Sequence, residues 1–234
     1  MLTPKKKISR REIKQDPLIG AYERTQVYYY ENKKMIGYAI TGLIALVVLI
    51  LVYTNNRRAN EEKAAAELGK VFSLYDAAAS NPSQYKLAIE GQPERGIMGL
   101  KAIVDNYGST ASGGLARFYL ATAYYNLGQF NDALKYFDDF STGSDLLTAA
   151  RYAGMGGCYE ARGEYAKAAS EYDKASSTAP DPAQIADYLN AAAHCYGRSG
   201  DKEKAVNLYK RLKREYPSSE YARDADRYIG QFSA

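Results

Sequence analysis

Residues 35–53 read MIGYAITGLIALVVLILVY, nineteen in succession without a charged side chain. At about 1.5 Å of rise per residue such a helix spans about 28 Å, close to the ~30 Å hydrocarbon core of a bilayer. A core helix buried in a soluble domain is seldom apolar all round, so a membrane span is the better reading. A cleaved signal peptide needs a short leader and a small-x-small processing site. Here 34 residues precede the run and Thr54-Asn55-Asn56-Arg57-Arg58 follows it, so an uncleaved signal anchor is expected.

The run divides the chain into a tail (1–34), a span (35–53) and a large domain (54–234). The tail holds nine basic and four acidic residues, a surplus of five, whereas the chain as a whole has a net charge of only +4. Arg57, Arg58, Lys63 and Lys70 stand on the far side, but long domains are translocated largely regardless of charge. The tail is therefore expected in the cytoplasm and the large domain outside it. Asp16-Pro17 suits a helix start, with Asp accepting first-turn amide hydrogens and Pro giving up a donor that has no partner there. One helix is expected to run from there through the membrane. Tyr28, Tyr29 and Tyr30 before the span and Tyr53 at its end fit the polar–apolar interface, where a ring with a hydroxyl is favoured. The Lys5–Arg11 run reads as a solvated tail, with anionic lipid or a partner as the competing reading.

Beyond the span the chain repeats itself. YYNLGQFNDALKYF (124–137), YEARGEYAKAASEY (159–172) and YGRSGDKEKAVNLY (196–209) align without gaps. Each has an aromatic four before a Gly, an Ala five after it, and a second aromatic four further on. Gly128, Gly163 and Gly200 set periods of 35 and 37. The physical reading is a helix–turn–helix hairpin. Tyr124, Tyr159 and Tyr196 end the inner face of the first helix, and the glycines take a helix-terminating conformation that side chains disfavour. Phe130 and Tyr165 wedge the turn. Ala133, Ala168 and Ala205 let the helices approach, and Phe137, Tyr172 and Tyr209 fill the space behind. The pattern resembles the tetratricopeptide repeat, which has a period of about 34 residues.

A degenerate unit is expected upstream, with Ala65, Leu68, Gly69 and Phe72 as its first helix and Gly96, Leu100 and Ile103 as its second. Asn81–Pro93 interrupts it as an insertion. Gly113-Gly114 and Pro180/Pro182 punctuate the units, and Ser219–Phe232 reads as a helix that covers the last one. The expected fold is all-α: a single transmembrane helix followed by a tetratricopeptide α-solenoid of three clear repeats and one degenerate repeat, with a C-terminal capping helix.

In such arrays the first helix of each unit lines the concave side. The groove positions are then Phe118, Tyr119, Thr122, Tyr125 and Asn126 in the second unit, and Ala153, Gly154, Gly157 and Glu160 in the third. In the fourth they are Asn190, His194 and Arg198, spaced four apart on one helical face. Aromatics would take apolar side chains of a peptide or helix, and Arg198 is suited to a carboxylate. The carboxylate-clamp repeats of eukaryotic cochaperones use several cationic groove residues. Ala153 and Gly157 stand where such side chains would be needed, so that specificity is not expected. The competing reading is an ordinary solvated face.

Composition removes other classes. One His and two Cys do not supply the usual four ligands of a His/Cys zinc site, so no metal is expected. His194, the single histidine, lacks a nucleophile and an orienting acid suggested nearby, and it reads as a surface residue. Cys158 and Cys195 share one repeat position with Ala123 and read as small buried residues. Helices packed about 8–10 Å apart hold equivalent positions too far apart for a disulfide, which needs Cα atoms within about 7 Å. Asp138-Asp139 reads as surface charge. No glycine loop follows a strand to cradle phosphate, and neither a cofactor nor an enzymatic activity is expected.

In architecture the chain resembles the ancillary subunit family of the bacterial Sec translocon, bound to the inner membrane with periplasmic repeats. That resemblance implies protein partners: the translocon, an envelope chaperone, or exported chains. Two other roles stay open, a structural scaffold or assembly subunit of a larger membrane complex, and an accessory that tethers an enzyme to the membrane. Neither nucleic acid nor a small-molecule substrate is implied.

Overall fold

The computed structural model describes residues 17–78 and 80–233. Asp16 and the Lys5–Arg11 run lie outside the described residues. The first helix, α1 (Pro17–Ala77), belongs to two compact units, one ending at Arg57 and one beginning at Arg58.

In the first unit the helix is long and apolar enough to cross a membrane, and its apolar side chains are exposed. The Thr41 hydroxyl donates to the Gly37 carbonyl at 2.9 Å, so it is paired within the helix itself. Tyr28, Tyr29, Tyr30 and Tyr53 are exposed around it.

The second unit begins with the last five turns of α1. Ala64, Leu68, Val71 and Leu74 are buried at three- and four-residue spacing. Of the residues expected there, only Leu68 faces inward; Ala65 and Gly69 are exposed, and Phe72 is 41% exposed. The run Ala64-Ala65-Ala66 fits either register, and the helix takes the one that buries Val71.

The insertion folds into α2 (Gln84–Glu90) and a two-stranded antiparallel hairpin, β1 (Gly91–Gln92) with β2 (Ile97–Met98). This is a small correction to an all-helical domain. A two-residue ladder leaves no alternating pattern to read, so its signal is in the glycines. Gly91 has φ +85° and Gly96 φ +66°, and a Cβ on Gly99 would run into the Ile89 carbonyl. Gly96 therefore turns the hairpin, and the second helix, α3 (Leu100–Tyr107), starts after Gly99.

Three helix pairs follow: α4 (Ala111–Asn126) with α5 (Phe130–Asp138), α6 (Asp145–Ala161) with α7 (Tyr165–Thr178), and α8 (Pro182–Ser199) with α9 (Lys202–Glu215). Gly128, Gly163 and Gly200 have φ of +73°, +75° and +93°. In each turn the next residue's amide bonds back to the aromatic's carbonyl: Gln129 to Tyr124 at 2.9 Å, Glu164 to Tyr159 at 2.8 Å and Asp201 to Tyr196 at 3.0 Å. Ala133, Ala168 and Ala205 are fully buried, as the repeat requires.

Gly113 and Gly114 do not separate units. They lie inside α4, whose start is set by Thr110, its hydroxyl accepting from the Gly113 amide at 3.0 Å. Gly113 is small because the Tyr107 carbonyl presses on it. The Glu61 carboxylate on α1 also accepts from the Ser112 amide at 3.1 Å and its hydroxyl at 2.5 Å, which joins α1 to the head of α4. The last helix, α10 (Glu220–Ser233), buries Ala222, Ala225 and Phe232, and Tyr228 stacks on Tyr209 at 4.9 Å. The Phe232 ring sits where a Cβ on Gly197 would be.

Candidate functional site: the face of the first helices

Rings and glycines set the spacing along α4, α6 and α8. A Cβ on Gly154 would enter the Phe137 ring, so Gly154 serves packing against α5 and not the groove. One on Gly156 would stand 3.0 Å from the Tyr172 ring, and one on Gly157 would stand 3.1 Å from the Tyr125 ring. The glycine-rich stretch of α6 is thus a bed for three aromatic rings. At the junction of α4 with α6, Tyr125 lies over Gly157 and stays 37% exposed.

The junction of α6 with α8 is built from equivalent repeat positions but different chemistry. Glu160 stands where the preceding unit has Tyr125, His194 where it has Gly157, and Tyr172 where it has Phe137. Cys195 stands in the place of Cys158. The Tyr172 hydroxyl donates to Glu160 Oε2 at 3.0 Å, and His194 Nδ1 stands 3.8 Å from Glu160 Oε1. The Cys195 sulfur also lies within 4.8 Å of the Glu160 carboxylate. Burial, then the Glu160 charge, pushes the Cys195 thiol up to about 12, and the same two causes hold the Tyr172 hydroxyl protonated. Glu160 is therefore a carboxylate shared by a phenol, a thiol and an imidazole.

The eight residues expected to line the groove from the second and fourth units divide into two groups. Phe118 and Tyr119 are half-buried packing aromatics. Phe118 meets Phe137 at 5.8 Å and Phe140 at 5.3 Å, and Tyr119 meets Tyr75 at 4.9 Å and Phe72 at 5.3 Å. Thr122 is half-buried, with its hydroxyl donating to the Phe118 carbonyl at 3.0 Å. Tyr125 and Asn126 are exposed, and Asn190 and His194 are half-exposed. Arg198 is exposed but held: its guanidinium stacks on the Tyr165 ring at 4.4 Å and donates to the Tyr165 hydroxyl at 2.6 Å. Among the described residues no carboxylate pairs with it. Sequence reasoning missed Tyr172, although its hydroxyl in place of the Phe137 side chain was a readable signal. Cys158 and Cys195 are both free and buried.

Residues 115–142 and 191–219 match the family model described as the tetratricopeptide repeat. These segments cover most of the pairs α4/α5 and α8/α9, and α6/α7 between them has the same turn and the same buried alanine. Repeats of this kind generally mediate protein–protein interaction and are typically non-catalytic. No curated protein matches the chain.

Proposed function

We propose that this tetratricopeptide-repeat chain is a membrane-anchored protein-binding module. Its repeat face takes a peptide or partner protein at the bacterial inner membrane, with residues 1–34 in the cytoplasm and the repeats in the periplasm. The observation that carries the reading is the Tyr125 ring, laid over Gly157 and open to solvent on a face that continues to Arg198. Its accessible contacts are Tyr125, Asn126, Asn190, His194 and Arg198, and Phe118, Tyr119 and Thr122 support them from behind. An exposed aromatic and an arginine held in place by a ring are residue types enriched at the centres of protein interfaces.

The order of parts, a basic tail, one apolar helix and a repeat domain, supports a partner at the Sec translocon or an envelope chaperone. Membranes solubilised mildly from cells carrying the tagged chain should yield such partners by co-purification. Tyr125→Ala combined with Arg198→Ala should lower their recovery at least roughly tenfold, in keeping with the loss of a hot spot. Unchanged recovery with the double variant would remove this face as the binding site. A fixed complex of membrane subunits that ignores these changes would point to the scaffold role.

A further inference from the structure

Glu160, His194 and Cys195 bring a carboxylate oxygen, an imidazole nitrogen and a thiol sulfur within 4.8 Å of one another. We propose that they form a binding site for a divalent metal of the zinc type, with a fourth coordination position open toward the face of the first helices. The donor set is the first argument. Zinc takes sulfur, nitrogen and oxygen together, whereas magnesium and calcium take oxygen alone. A tetrahedral site with a Zn–S bond of about 2.3 Å and Zn–N or Zn–O bonds of about 2.1 Å places its ligand atoms about 3.5 Å apart. His194 Nδ1 and Glu160 Oε1 are already 3.8 Å apart, so side-chain rotation of about an ångström closes the set.

The repeat supplies the second argument. The preceding junction packs Tyr125 and Gly157 around Cys158, next to the ring of Phe137. That arrangement satisfies the fold with no carboxylate or imidazole. Here three positions depart from it at once: Glu160, His194 and Tyr172. The Tyr172 hydroxyl orients the far oxygen of Glu160, as outer-shell donors do for metal-ligating carboxylates. Among the described residues the cluster is also faced by the buried Tyr209 hydroxyl, which lies on the α9 side near Cys195. Tyr125 lies on the α4 side, and Arg198 is stacked on Tyr165.

Binding is a proton exchange. The metal forms a bond to the Cys195 sulfur, the S–H bond breaks, and the proton passes to water. His194 binds as neutral imidazole and Glu160 as carboxylate, so the two anionic ligands balance the dication. Because binding releases the thiol proton, apparent affinity should rise as pH rises.

The test uses the full chain in detergent, stripped with chelator and titrated with Co²⁺, then with competing Zn²⁺. The expected result is one Co²⁺ per chain, with a thiolate-to-cobalt charge-transfer band that Zn²⁺ abolishes. Cys195→Ala should remove the band and weaken binding by more than about 100-fold, beyond what losing an outer-shell partner costs. That variant keeps the fold within reach, because the second unit carries Ala123 at the same position. Glu160→Gln and His194→Asn should weaken binding to a similar degree, and Tyr172→Phe by about tenfold. Cys158→Ser should leave it unchanged. Absence of the charge-transfer band from the unsubstituted chain overturns the proposal, and so does full affinity in Cys195→Ala.

Discussion

At the scale of single residues, glycine carries two opposite roles in this chain, and they are separable by substitution. Gly154 is small because the Phe137 ring occupies the space of its missing Cβ. Gly114 is also helical but has open space at that point. Gly154→Ala should therefore destabilise the repeat domain by about 1–3 kcal/mol through overpacking. Gly114→Ala should stabilise it by about 0.5–1 kcal/mol, because Ala has less backbone freedom to lose in a helix. Urea denaturation of the two variants beside the parent chain checks both signs. The buried thiols make a second residue-scale prediction. Burial raises the pKa of Cys158 and of Cys195 from the ordinary 9.0 to about 12. The folded chain then holds protons that the unfolded chain releases, so this contribution is whole below pH 9.0 and fades as pH climbs to about 12. The denaturation midpoint should fall across that interval, and Cys195→Ala should flatten the decline.

Among the elements, the head of α4 is the point most dependent on a distant residue. Burial works to raise the Glu61 pKa, but hydrogen bonds from the Ser112 side chain and backbone outweigh it, and the net shift is below the ordinary 4.5. A depressed carboxylate contributes stability above its unfolded pKa and loses it as pH falls through the folded value. Glu61→Gln should cost about 1–2 kcal/mol near neutrality, since it replaces charge-assisted hydrogen bonds at a helix start. The loss should shrink as pH drops below 4.5. Thermal unfolding at pH 7 and at pH 4 measures the difference. This clamp joins positions 51 apart in the chain and has no local pattern, so nothing in the sequence marks it. The elements that were legible are those where one residue type answers one constraint. Gly128, Gly163 and Gly200 had to take positive φ, and Ala133, Ala168 and Ala205 had to let helices touch. Where several residues satisfy the constraint equally, the pattern is silent: three consecutive alanines hid the register of α1. Two-residue strands left Gly96 looking like a helix start, and Gly113 looked like a linker when it was yielding to Tyr107. The groove was legible as a set of positions, but which of them were exposed depended on rings from neighbouring units. Phe118 and Tyr119 were taken up by aromatic packing, and Tyr125 was not.

For the whole molecule, charge and apolarity are divided between its two units. The +4 net charge is a surplus of five in residues 1–34 set against a nearly neutral remainder. The exposed apolar surface is similarly concentrated between Met35 and Tyr53, while in the described part of the second unit only Phe72, Tyr125 and Leu146 are exposed among the large apolar side chains. A surface of Leu, Ile and Val exposed over that length is stable only where lipid or protein covers it. On the proposed topology the basic tail stays in the cytoplasm, and the long, nearly neutral domain is translocated largely regardless of the charges beside the span. Alkaline phosphatase fused after Ala234 should be active, and a cytoplasmic reporter fused there should be silent. Replacing Lys5, Lys6, Lys7, Arg10 and Arg11 with Gln should weaken the bias and yield a mixed population. An active cytoplasmic reporter on the unsubstituted chain would invert the topology. The repeat face would then meet cytoplasmic partners, and the translocon-side role would fall with it, while the chemistry at Glu160, His194 and Cys195 would stand.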